Sequence, residues 1–414
     1  MRVYASVTPA AQIRPDQSVG GQYDLEMQAP TASITAASPR AGAAGAATRV
    51  THARRYIPEF DVLRGTAIVF VVYLHAYFSP WDVTPHSEVL AMHIIHLFAQ
   101  TAVPVFFFMS AFLFAGDSSP SFARYAVAKV RRVVIPMLFW MTLALFYRVW
   151  REGGLTEYLW HHYLLFDIAG QYYYLVVLAI LMVAFFFVRD WPVERLGMLA
   201  VAAFAVNLAT IYYYQSSTIH GTFATLAYRN PLVWVFFYAF GLYAGRRFGT
   251  LEWTRPLLWP ALAGMACVAA VYFVLGEGYG IWSVSYFAVT IFLFSCFSLV
   301  AYPALVYHVM RTAAGMFALR PAVFLSRYAF AIYLVHMPFF VGYLTNRFIS
   351  PWTAVNTEWF LLMNSLFIFG FVTATVFVVL MGALLPRLSA ELLGINPKRL
   401  EPRVKAAQAG SAEA

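Results

Sequence analysis

Charged side chains are scarce in this chain. Asp, Glu, Lys and Arg make up 11% of its 414 residues while 61% are hydrophobic, where a soluble domain is roughly one quarter charged and half apolar. Water is therefore excluded as the main solvent of most of the molecule. Cysteine is nearly absent: Cys267 and Cys296 each sit inside an apolar run, which excludes a disulfide framework and any paired metal-ligand spacing, and no metal is expected. No apolar stretch precedes Val62, so the basic start and early apolar core of a cleaved signal peptide are missing, and insertion is expected through the first helix itself. The formal net charge of +9 is spread over the connecting segments, whereas a nucleic-acid footprint needs cations clustered on one face; no nucleic-acid partner is expected. No internal symmetry of the transporter kind is visible either.

What the chain does have is a succession of long apolar runs. They fall at about 62–80, 90–115, 133–150, 171–188, 196–214, 231–248, 257–275, 281–303, 322–345 and 358–386, and crossing the hydrocarbon core takes about 20 residues each. The expected fold is an all-α integral membrane protein, a bundle of about ten transmembrane helices in contact with membrane lipids. The cations support that count. Arg54 and Arg55, the group Arg124, Lys129, Arg131 and Arg132, the pair Arg189 and Arg195, the group Arg246, Arg247 and Arg255, the pair Arg311 and Arg320, and the C-terminal Arg387 to Lys405 all fall on one side; Arg151, Arg229 and Arg347 fall on the other. The positive-inside rule makes the richer side cytoplasmic, so both termini are expected there. Residues 1–53, rich in Ala, Ser, Thr, Gln, Gly and Pro, read as a disordered cytoplasmic tail; 54–390 form the transmembrane domain and 391–414 a second cytoplasmic tail.

Ionisable groups inside such runs are costly and mark function by default. The segment FDVLRGTAIVFVVYLH places Asp61 and Arg64 at the mouth of the first helix and His75 eleven residues beyond Arg64. That is about 16 Å along the axis and close to a whole number of turns, so cation and imidazole share a face. Asp61 and Arg64, three apart, form either an anchoring ion pair or part of a site. A second histidine, His336, lies about ten residues into the ninth run, at a depth comparable to His75 because both helices run outward. Convergence of the two imidazoles on one cavity competes with two separate core histidines. Ser110, in PVFFFMSAFLF, serves packing or a site, and its small neighbour Ala111 permits close helix approach. Arg131 reads as an orientation signal and Arg132 also as a cation for an anionic substrate. Tyr172 to Tyr174 of QYYYL read as an interfacial aromatic belt, and His161 and His162 as interfacial or solvated.

Taken in order, these segments resemble the acyltransferase 3 family of membrane-bound acyltransferases. The resemblance rests on Asp61, Arg64-Gly65 and His75, on the Phe-Phe-x-x-Ser ending at Ser110, on Arg132 and Pro136, on Tyr174-Leu175, and on Tyr333 and His336. Ala111 departs from it, standing where members usually have Gly, and no added hydrolase-like domain is present, so the chain is expected to act alone or to pass its acyl group to a separate protein. The resemblance implies a multi-pass protein of the bacterial cytoplasmic (inner) membrane. It implies transfer of an acyl group, commonly acetyl from acetyl-CoA, to a hydroxyl of a surface or exported polysaccharide or glycolipid, with polysaccharide synthesis or export proteins as partners.

That chemistry suits the residues. A neutral imidazole can take the proton of an attacking sugar hydroxyl, and His75 is the expected base. Arg64 and Arg132, with Asp61 beside Arg64, suit the anionic arms of coenzyme A. His336, Tyr333 and Ser110 are candidate donors to the developing oxyanion. Direct transfer and an acyl-histidine intermediate both remain open. The rival classes are a transporter or flippase, for which intramembrane His and Arg also serve, and a structural subunit of an export complex, which would use them for helix contacts.

Overall fold

The computed structural model describes residues 56–76, 86–117, 121–216, 222–279, 286–342 and 359–395. The tail expected at 1–53 and the cation Arg347 lie outside the described residues. Among the described residues every regular element is a helix. By length and composition six helices can cross a membrane: Leu90–Ala115, Phe122–Glu152, Val193–Ser216, Glu252–Glu277, Val289–Met310 and Phe360–Leu384.

In chain order the first helices are α1 (Pro58–Ala76), α2 (His86–Ala99), α3 (Ala102–Ala115), α4 (Phe122–Lys129), α5 (Ile135–Glu152), α6 (Glu157–Leu164) and α7 (Tyr173–Phe186). Then follow α8 (Val193–Ser216), α9 (Thr222–Arg229), α10 (Val235–Arg247), α11 (Leu258–Tyr279), α12 (Val289–Met310) and α13 (Ala313–Ala318). The last are α14 (Arg320–Ser326), α15 (Ala329–Val335), α16 (Trp359–Leu384) and α17 (Pro386–Leu392). The second apolar run is one candidate span from Leu90 to Ala115, with a turn at Gln100 and Thr101 between α2 and α3, where the Thr101 hydroxyl donates to the Phe98 carbonyl at 2.6 Å.

Two helix pairs are brought together by missing side chains. On α1, a Cβ at Gly65 would lie 1.8 Å from the Ala322 carbonyl oxygen of α14, so only glycine lets these helices meet where they do. On α10, Cβ atoms at Gly241 and Gly245 would strike Phe108 and Phe112 of α3, next to Ala111 and Ala115. This is small-residue packing of the kind membrane helices use when no hydrophobic effect drives them together, and it gives the buried Ala111 a structural reason.

Two proline-linked interruptions shape the rest. Pro136 and Pro338 have no amide hydrogen to give, and just before or around each the helix widens into a π-turn, Val130–Val134 and His336–Val341. The bond from Ile135 N–H reaches Val130 O, and that from Gly342 N–H reaches Met337 O, five residues back in each case. Beyond α16 the chain is held down as far as Ile395: Trp140 Nε1 donates to the Leu392 carbonyl at 2.7 Å, and Leu393 and Ile395 are buried.

Candidate active site

The imidazoles of His75 and His336 meet inside the bundle. Their ring centroids are 5.2 Å apart with planes inclined by 49°. α1 is unbroken from Pro58 to Ala76, so the eleven-residue interval from Arg64 carries His75 to the depth at which α15 delivers His336. His336 is wholly buried. Its Nδ1 lies 2.9 Å from the Tyr333 carbonyl oxygen and 3.1 Å from that of Ile332. A carbonyl can only accept, so Nδ1 carries the ring hydrogen of the neutral imidazole and Nε2 keeps its lone pair. That Nε2 is buried and, among the described residues, has no hydrogen-bond partner, a costly condition that a bound polar group would relieve.

The tautomer is fixed by backbone, and the backbone is fixed by two tyrosines. Pro338 cannot donate to the carbonyl four residues back, Leu334 O, and the Tyr172 hydroxyl takes that place at 2.9 Å. In return Tyr333 donates its hydroxyl to the Gln171 carbonyl. The two bonds tie the 3-10 turn Gly170–Tyr172 to α15. Tyr172 and Tyr174 are both buried in the protein core, which overturns the aromatic-belt reading for them: a hydroxyl needed by a broken helix draws the Tyr172 ring inward, and the Tyr174 ring packs against Phe107 and Tyr333. The Tyr333 hydroxyl is committed to this tie rather than pointing a free hydrogen at a substrate.

The other expected residues form a chain toward Arg64. The Tyr333 ring lies 6.0 Å from that of His336 and 5.7 Å from that of Tyr174. Tyr174 shares a side-chain hydrogen bond with Ser110 and lies within electrostatic reach of Arg64. Arg64 pairs with Asp61 at 3.2 Å, both partly exposed, and Tyr56 donates to the other Asp61 oxygen at 2.6 Å. Arg132 stands apart. It is exposed on the first π-turn, and among the described residues it forms no hydrogen bond or ion pair with the other six.

Sequence reasoning passed over three buried polar groups. Gln171 is 1% exposed, and among the described residues neither its side-chain oxygen nor its nitrogen has a partner; a lone amide opening an apolar run was the available signal. His93 and His96, three apart in the second run, are also buried. His93 Nδ1 lies 2.7 Å from the Tyr272 hydroxyl, and His96 Nε2 2.7 Å from the Gln100 amide nitrogen. These contacts join α2 to α11 and to its own C-terminal turn.

The described residues form an all-helical bundle in which six helices are long and apolar enough to cross a membrane and two imidazoles lie 5.2 Å apart. The family model described as an acyltransferase domain matches residues 57–383, and the chain belongs to the acyltransferase 3 family. No curated protein and no solved structure matches it.

Proposed function

We propose that this protein is an O-acyltransferase that takes an acyl group, acetyl being the simplest, from acyl-CoA at the arginine-bearing cytoplasmic face. The acceptor is a hydroxyl of a surface or exported saccharide or glycolipid, and the setting is a bacterial cytoplasmic membrane. The observation that carries the reading is the His75–His336 contact with the orphaned Nε2 of His336, in a chain whose family is that of acyltransferases.

With this tautomer we assign the two histidines the reverse of the roles expected from sequence. Neutral His336 offers only a lone pair, which suits a base and not an oxyanion donor, while His75 beside it retains one ring N–H to donate. In the step we envisage, the acceptor oxygen attacks the thioester carbonyl carbon as its proton passes to His336 Nε2. The carbonyl oxygen becomes an oxyanion facing the His75 N–H. Collapse breaks the carbon–sulfur bond, and the proton on His336 goes to the departing coenzyme A sulfur, so charge and atoms balance. Arg64, with Asp61 at its side, and Arg132 hold the anionic arms of the donor.

The test is acyl transfer by purified protein in detergent, where transport is impossible. Labelled acetyl-CoA should release CoA and label a saccharide acceptor. His336→Ala and His75→Ala should each lower kcat by about 10²- to 10⁴-fold while the protein stays folded. Flux in sealed vesicles without CoA release would defeat the proposal in favour of a transporter. Acetyl trapped on a histidine when acceptor is withheld would replace direct transfer by the covalent route.

A further inference from the structure

Of the arginines that the charge pattern assigns to the cytoplasmic face, two meet over one ring. Arg255 lies on the 3-10 turn Glu252–Leu257 that leads into α11, and Arg311 follows the last residue of α12. Their guanidinium carbons are 4.2 Å and 5.6 Å from the centre of the Tyr307 ring. Arg311 also donates to the Tyr307 hydroxyl at 3.4 Å, a bond that uses an oxygen lone pair and leaves the hydroxyl hydrogen for an acceptor. The turn beneath Arg255 is held in place. Thr254 is buried with its hydroxyl on the Leu251 carbonyl at 2.7 Å, and Trp253 stacks on Phe248 with ring centres 4.8 Å apart.

The two charges are not balanced from within. Among the described residues neither arginine forms an ion pair with a carboxylate, and Glu252, on the same turn as Arg255, does not reach it. Guanidiniums gathered on one ring repel each other. The helix dipole favours a cation at the C-terminus of α12, which accounts for Arg311; at the start of α11 the dipole opposes one, and Arg255 stands there nonetheless. The place is also at the edge of the bundle. Of the six spans, Glu252–Glu277 is the least enclosed, with 17% of its most apolar stretch buried. Trp259, one turn beyond Arg255, is 76% exposed, and Leu305, two residues before Tyr307, is exposed as well. Lipid therefore lies against these two helices, with Trp259 placed as an interfacial tryptophan and Arg255 about 6 Å nearer the cytoplasm along the same rod, at the depth of lipid phosphates.

We infer that Arg255, Arg311 and Tyr307 form a binding site for an acidic phospholipid of the cytoplasmic leaflet. Its phosphate oxygens are held by the two guanidinium forks and the tyrosine hydroxyl, and its chains run along the lipid-facing side of α11 and α12. A coenzyme A phosphate offers the same chemistry but arrives from water, whereas this site opens beside Trp259 and Leu305. The inference does not depend on acyl transfer.

Native mass spectrometry of the full-length protein in neutral detergent, with phosphatidylglycerol, cardiolipin and phosphatidylcholine as added probes, tests it. Either acidic lipid should bind about ten-fold or more tightly than phosphatidylcholine. Arg255→Gln combined with Arg311→Gln should abolish that difference, whereas Arg124→Gln combined with Arg195→Gln, exposed cations elsewhere on the same face, should leave it intact. Arg255→Glu, whose carboxylate can pair with Arg311, should abolish it too without lowering the thermal midpoint, so that lost binding is not lost folding. Equal binding of all three lipids would overturn the inference, as would selectivity that survives the double variant or Arg255→Glu. An equal loss in the control pair would reduce the preference to overall charge, and a lowered midpoint in Arg255→Glu would make the guanidinium structural; either result sinks the site. Displacement of phosphatidylglycerol by saturating CoA would do the same, since the cations would then serve the donor.

Discussion

At the scale of single residues, hydrogen-bond bookkeeping separates side chains that hold the site from side chains that wait for a substrate. Tyr172 and Tyr333 have their hydroxyls committed to the Leu334 and Gln171 carbonyls. Tyr172→Phe leaves a buried carbonyl unsatisfied and should destabilise the protein by about 1–3 kcal/mol, with Tyr333→Phe similar; both should lower kcat far less than loss of either histidine. Gln171 is the opposite case. Among the described residues its buried amide bonds nothing, so Gln171→Leu removes a desolvated polar group and should leave stability unchanged or raise it while lowering kcat/KM. Thermal midpoints in detergent set beside kinetics check both, and a Gln171→Leu protein that is less stable but equally active would make the amide structural. His75 and His336 were legible in the sequence because ionisable groups in apolar runs are conspicuous. Gln171 gave only the weak signal of a lone amide opening an apolar run, and the inward turn of Tyr172 gave none, because its cause is a carbonyl released by Pro338, 166 residues further along.

At the scale of helices, the resemblance's Arg-Gly pair divides into two jobs. Arg64 faces Asp61, and Gly65 is flat so that α14 can lie against α1. Gly65→Ala would push a methyl carbon into the Ala322 carbonyl at 1.8 Å, an overlap with backbone that no rotamer relieves. It should cost about 1–3 kcal/mol or more and shift His75 relative to His336, reducing activity alongside the thermal midpoint. Gly154→Ala, where nothing lies within 4 Å, is the control and should change neither. An unaltered midpoint in Gly65→Ala would mean that the two helices pack less tightly than described. The sequence shows that Gly65 and Ala111 are small; it does not show against what, since Ala322 and Gly241 are remote in the chain.

At the scale of the whole molecule, the six helices that qualify as spans by length and composition leave four apolar runs to explain, and these four bear most of the site. α1 contains Glu59, Asp61 and Arg64; α7 is short and begins on the turn carrying Gln171 and Tyr172. α10 has 13 residues, and the ninth run is divided into α14, α15 and the π-turn of His336. Charged or broken helices are tolerated at membrane depth only where protein or a wet cavity surrounds them, and that is also where a polar reaction can be housed. We therefore propose that these four cross the membrane too, giving ten spans with both termini cytoplasmic. In a background of Cys267→Ser and Cys296→Ala, single cysteines at Gly153 and Asn230 should react with a membrane-impermeant maleimide on intact cells. Cysteines at Ser121 and Asp190 should react only after the membrane is opened. Protection of the Gly153 position, with labelling at Ser121 on intact cells, would reverse the fold in the membrane and put Arg64 on the outer side, away from coenzyme A.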